Sequence, residues 1–230
     1  MAKMRTRYIT GARQAGLIFR QLEFFTLASS ALSLFFIPLV NLPFSWMETF
    51  FHEMSHGLMA LITGGSIQQV ILHMDGSGQC LTEGGWQFGV VWAGYAGVVF
   101  WGGLIYLSAT LFRKHPAKIL LLMLLIFLLN IQLLWIRDST SLIIMLTISA
   151  IFLSAYYFGG TFIIRYFMKF TGLYILLGAA RSPLALVDGE DEGDGFILEG
   201  LTAVPELVWV GIWELLALLA VFYLYRLSVR

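Results

Sequence analysis

Between Phe24 and Leu227 the chain is a succession of apolar runs, with most of its charge gathered in the short stretches between them. A run of about 20 apolar residues matches the thickness of a bilayer's hydrocarbon core when it is helical. In lipid every backbone N–H and C=O must be satisfied inside the protein, so runs of this kind become helices. Only 12% of the residues are charged, against roughly a quarter in ordinary soluble domains. The expected fold is an all-α polytopic membrane protein of six to seven hydrophobic helices. The formal net charge is zero, so nothing points to nucleic acid. One cysteine, Cys80, excludes an intrachain disulfide and any multi-cysteine metal site.

Lys3, Arg5, Arg7, Arg13 and Arg20 make residues 1–23 a basic lead-in, which favours a cytoplasmic start. Residues 24–230 read as a single membrane-embedded domain without an internal repeat. The first apolar segment, Phe24 to Leu42, reads as a retained signal-anchor helix, because no small-x-small cleavage site closes it. Pro38 and Pro43 punctuate its exit, and a second helix is expected from Phe44 to Thr63, ended by Gly64-Gly65. Ser66 to Thr82 alternates around Asp75-Gly76-Ser77-Gly78 and predicts a β-hairpin. Further spans are expected over Trp86–Phe112, Ala117–Ile136, Ser141–Phe158, Thr161–Ala180 and Glu206–Leu227, with Arg113, Lys114, His115 and Lys118 forming a basic loop. Small residues at 93–97 suit close packing on the second helix. Asn130 and Gln132 are expected to bond neighbouring helices, and Glu214 in the last span reads equally as a functional group or as a partnered helix-packing one. Residues 188–199 hold six of the chain's 14 acidic residues and form an acidic loop. Phe196 to Thr202 is expected to be a short helix capped by Asp194.

The second helix carries Phe51-His52-Glu53-Met54-Ser55-His56-Gly57. His52 and His56 are four apart, so both imidazoles share one helical face and can share a metal ion. Glu53 borders that face and can act as a general base. This is the H-E-x-x-H arrangement of zinc peptidases. From the composition its chance count is about 0.003, and ionisable groups in an apolar run are costly without a function. A catalytic zinc takes three protein ligands and keeps one open position. His73, His115 and the carboxylates of the acidic loop are the candidates for the third. Glu48, one turn before His52, suits either an acceptor for that imidazole or an interface residue near Trp46.

The run Thr49 to Ala60, with Gly64-Gly65 behind it, resembles the site-2 protease family of membrane-embedded zinc metalloproteases, and more closely its short branch without a PDZ domain. The hairpin turn and Ala93-Gly94-Tyr95-Ala96-Gly97 extend the likeness, with Ser55 standing where the family commonly has glycine. Asp194-Gly195, followed by Leu201-Thr202-Ala203-Val204-Pro205 and Trp209, resembles the family's third-ligand segment. The resemblance therefore implies Zn2+ held by His52, His56 and Asp194, with Asp188-Gly189 as the competing Asp-Gly. Glu53 is implied as the catalytic base, peptide bonds of membrane proteins or peptides as the substrate, and the lipid bilayer as the setting. The expected location is a bacterial plasma membrane. The rival readings are a non-proteolytic zinc-binding scaffold or regulator, against which Glu53 argues, and a transporter, against which the lack of a repeat argues. A helix-and-hairpin unit that dips into the membrane and returns would put the 113–118 loop inside, the acidic loop outside and the metal ligands on one level.

Overall fold

The computed structural model describes residues 2–111, 116–187 and 192–229, the side chains of 2–13, 116 and 117 excepted. Arg113, Lys114, His115 and Asp188 lie outside the described residues, as do the side chains of Lys3, Arg5, Arg7 and Arg13.

Apolar helices dominate, as the runs predict. Five of them are long and apolar enough to cross a membrane: α3 (Gln87–Leu111), α4 (Pro116–Trp135), α5 (Ser139–Phe158), α6 (Thr161–Ala179) and α8 (Glu206–Ser228). The helices α1 (Ala2–Leu34) and α2 (Pro38–Ile62) pass the same test together, as a pair bent by 106°. The protein is therefore a multi-pass membrane protein with a small two-stranded sheet.

The break between α1 and α2 falls at residues 35–37, earlier than the prolines suggest. Phe35, Phe36 and Ile37 each donate to the carbonyl three residues back, which tightens the end of α1. Ile37 precedes a proline and is pushed out of the helical region, to φ −117° and ψ 84°. Pro38 then opens α2, where its missing N–H is no loss. Pro43 is inside α2 rather than at a boundary. Residues 23 and 24 are mid-helix in α1, so no element boundary divides the basic lead-in from the apolar run. Glu23 holds Lys169 of α6 at 2.5 Å, in a buried ion pair that ties the first helix to the bundle.

At the other end of α2 the two glycines behave as expected. Gly64, at φ +88°, donates to Leu61, and Gly65 donates to Ala60 at 2.7 Å, closing the helix with the 6→1 and 5→2 bonds of a Schellman cap. The chain then enters the hairpin β1 (Ser66–Leu72) and β2 (Gly78–Glu83). Ile67, Val70 and Leu72 are buried on one face. A bulge between Ile67 and Gln69 sets Gln68 out of register.

Two anchors fix the hairpin. Thr49 Oγ1 donates to Gly76 O at 2.5 Å and Trp46 Nε1 to Met74 O at 3.3 Å, pinning the turn to α2. On the other side, Leu72 N–H donates to Ser141 Oγ at 2.8 Å, and Asp138 caps α5 by accepting from Ser141 N–H at 2.8 Å. Burial pushes the Asp138 carboxyl up, but the bonds from Ser141 and Gln69 outweigh it and hold the group below its ordinary range.

The small residues of α3 let two helices come close. A methyl on Gly97 would lie 2.0 Å from Ser55 Oγ on α2, and one on Gly102 would lie 2.8 Å from the Gly172 carbonyl on α6. Gln132 reaches Ser149 on α5 at 2.7 Å, whereas Asn130 bonds back to Ile126 on its own helix. A short 3-10 turn, Ser182–Leu186, follows α6, and α7 (Gly193–Thr202) precedes α8.

Candidate metal centre

His52 and His56 sit one turn apart on α2, as their spacing requires, with Nε2 atoms 3.0 Å apart. Asp194 comes from the far end of the chain. Gly193 adopts φ +86°, a left-handed conformation that glycine accepts without strain, and starts α7 there. Asp194 lies in the first turn of α7, but it is not the cap, which falls at Glu192. Its carboxylate is instead turned toward α2: Oδ2 is 3.2 Å from His52 Nε2 and 3.3 Å from His56 Nε2. The sequence suggests Asp194 as a cap because spacing along the chain cannot show a partner 138 residues away. Leu198 holds α7 in place, fully buried against Val91 of α3 and Trp213 of α8.

The donor chemistry of this cluster fits a metal ion. His56 Nδ1 is 2.7 Å from the carbonyl of Val90, which can only accept. The ring hydrogen is therefore on Nδ1, and Nε2 presents its lone pair to the cluster. Asp194 Oδ2 is buried without a hydrogen-bond donor. Three metal-ligand atoms thus face one another at 3.0–3.3 Å. Ligand atoms of a tetrahedral zinc at 2.0–2.1 Å stand about 3.3 Å apart. Among the described residues this is the His/Cys/Asp/Glu group close enough to hold a metal. His73 is exposed at the hairpin turn, away from it.

The cluster opens on a cavity of about 530 Å³, walled by α2, the hairpin, α3, the 3-10 turn and α7. Glu53 lies on this wall, 6% exposed. Its stem lies against β2, where a methyl on Gly78 would stand 3.0 Å from Glu53 Cγ. The Cys80 thiol lines the same cavity. Burial, reinforced by Glu53, pushes it up to about 12, and the thiol stands outside the group of ligand atoms.

Close approach of α3 depends on Gly94. A methyl there would sit 2.5 Å from His56 Cε1 and 2.7 Å from His52 Cε1. At the next residue, the Tyr95 ring meets His52 edge to face at 4.5 Å and is itself backed by Trp213 at 4.7 Å. Trp213 is therefore packing for the centre. Glu48 is misplaced as an interface residue: it is 6% exposed and lines the cavity. Sequence reasoning finds no role for the Val90 carbonyl or the Tyr95 ring. The Val90 group is backbone and carries no side-chain signal, while Tyr95 stands in a segment read for its small residues and its family likeness, neither of which shows what the ring touches.

These features define a polytopic membrane protein whose partly buried His–His–Asp cluster is able to hold a metal ion. A family profile described as peptidase M50B-like matches residues 26–224, which is nearly the whole chain. The chain belongs to that family, and so to the site-2 proteases: at family level it is a membrane peptidase of the site-2 type. Comparison with curated proteins returned no match, and neither did comparison with solved structures.

Proposed function

We propose that this protein is an intramembrane zinc endopeptidase that hydrolyses peptide bonds of membrane proteins or peptides in or near the bilayer of a bacterial plasma membrane. One observation carries the reading: three metal-ligand atoms converge at 3.0–3.3 Å on the wall of a cavity that also holds the Glu53 carboxylate.

In this reading His52, His56 and Asp194 hold the ion. A bound zinc supplies a Lewis acid that polarises a peptide carbonyl and acidifies water. Val90 keeps the His56 proton on Nδ1, so that Nε2 stays available. Glu53 takes a proton from the attacking water onto its carboxylate and returns it to the leaving amine. The close approach of β2 at Gly78 limits where that carboxylate can point. The strand β2 pairs with β1 alone among the described residues and lines the cavity from Gly78 to Thr82. A substrate segment unwound from its helix can lie extended along it, exchanging helical hydrogen bonds for strand bonds.

The test is turnover by the full chain in proteoliposomes. A mixture of single-span membrane peptides is added and the fragments are identified by mass spectrometry. Fragments from the wild type and none from Glu53→Gln, at equal metal content, support the peptidase. Metal binding without fragments from the wild type points instead to a scaffold.

A further inference from the structure

The cavity contains a carboxylate that this mechanism does not use. Glu48 projects from α2 one turn before His52 and is 6% exposed. Its Oε2 is fully buried and has no hydrogen-bond partner among the described residues. The wall facing it is shaped for it: a methyl on Gly178 of α6 would lie 2.1 Å from Oε2. Ser182 borders the carboxylate and donates its own hydroxyl to the Gly178 carbonyl at 3.0 Å. Arg181 is the nearest cation. Its guanidinium is spread over the Phe35 ring at 4.7 Å and forms no ion pair with Glu48 among the described residues.

Among the described residues, the charges lining the cavity are Glu48, Glu53, Asp194 and two histidines, with no lysine or arginine. A divalent cation at the cluster offsets Asp194 and Glu53 and leaves Glu48 with no cation at ion-pair distance among the described residues, Arg181 acting on it only from farther away. A buried carboxylate without a hydrogen-bond partner is unfavourable, and a cation that enters in hydrogen-bonding geometry beside it offsets part of that loss. One helical turn is about 6 Å, and an extended chain advances about 3.3 Å per residue. A side chain reaching Glu48 therefore belongs to a residue one or two places from the bond held at the metal.

We propose that Glu48 is a specificity residue, whose carboxylate receives a lysine or arginine side chain of the substrate one or two residues from the scissile bond. This rests on the peptidase reading and adds a substrate class to it.

The test needs no hydrolysis. Glu53→Gln protein, full length and zinc-loaded, is titrated with short apolar peptides that differ only in one residue, which is lysine, its neutral isostere norleucine, or glutamate. The variable residue is moved along the peptide. The lysyl form is expected to bind about tenfold tighter than the norleucyl form at one or two adjacent positions, as a buried charge pair should. Adding Glu48→Gln should erase that difference and relieve the exclusion of the glutamyl form, with zinc content unchanged. Glu48→Asp, which keeps the charge on a shorter stem, should retain part of the preference. Equal binding of lysyl and norleucyl peptides at every position overturns the proposal, as does a lysine preference that survives Glu48→Gln. A lysine preference in a protein that never cleaves would count against the peptidase alone.

Discussion

His56 Nδ1 lies 2.7 Å from the Val90 carbonyl oxygen, and that one bond decides what the other ring nitrogen can do. It converts a histidine on an apolar helix into a lone pair aimed at His52 and Asp194. It also makes the start of α3 part of the site, since Val90 and Gly94 meet the same imidazole from one helix turn.

Metal content follows from this geometry. Purified wild-type protein should carry one zinc per chain by elemental analysis. His52→Ala, His56→Ala and Asp194→Ala should each lose it, because two remaining ligands hold zinc poorly. Asp188→Ala should keep it. Zinc retained in Asp194→Ala would move the third ligand elsewhere.

Glu53→Gln separates binding from chemistry. The amide keeps the shape and leaves the three ligand atoms in place, so zinc should stay bound. Loss of the proton acceptor should slow peptide hydrolysis by at least about 100-fold. Unchanged turnover would mean that another group takes the proton.

Gly94→Ala tests how closely α3 must approach. Its methyl would fall 2.5–2.7 Å from both imidazoles. Overpacking of this kind costs about 1–3 kcal/mol, and here it acts directly on the ligands. Competition with a chelator should show zinc released at least about tenfold more readily than from wild type. A far smaller change in the thermal midpoint would show that the damage is local.

The hairpin anchor has a pH signature. Asp138 is held below its ordinary value of 3.8 in the folded protein. Its contribution is therefore complete above that value and is lost as the pH falls through the lower folded pKa. Asp138→Ala should cost about 1 kcal/mol, the usual worth of a helix cap, and should flatten this acid limb. Hydrogen exchange at the Leu72 amide, which is bonded to Ser141, reads the loosening directly.

The buried pair Glu23–Lys169 makes the contact between α1 and α6 testable. Glu23→Ala leaves a buried ammonium beside α1 and should destabilise the protein by about 3 kcal/mol. Replacing both residues with apolar ones of similar size should recover much of that. Unfolding in a denaturing detergent titration measures both.

Much of the architecture is legible in the sequence because a bilayer imposes a simple rule on any apolar run. The spans from Gln87 to Ser228 are visible within a few residues for that reason, and so is the hairpin, through Asp75-Gly76-Ser77-Gly78. The entry to α2 is not, because Pro38 and Pro43 are alike in sequence. Only the local geometry of Ile37 shows that the first opens a helix while the second is carried inside it. The Asn130 side chain is hidden for a related reason: a polar group in a span needs a partner, and sequence does not tell whether that partner is the next helix or the previous turn.

By itself the sequence determined that α2 would present two imidazoles and a carboxylate on neighbouring positions, because the helical repeat fixes which residues share a face. The tertiary structure alone decided what stands opposite them. It brought Asp194 within 3.3 Å, turned Val90 and Tyr95 onto the two rings, and enclosed Glu48 without a partner for Oε2 among the described residues. These relations join residues far apart along the chain, and they are set by which helices can approach closely enough to touch. Here that depends on glycines at 94, 97, 102, 172 and 178.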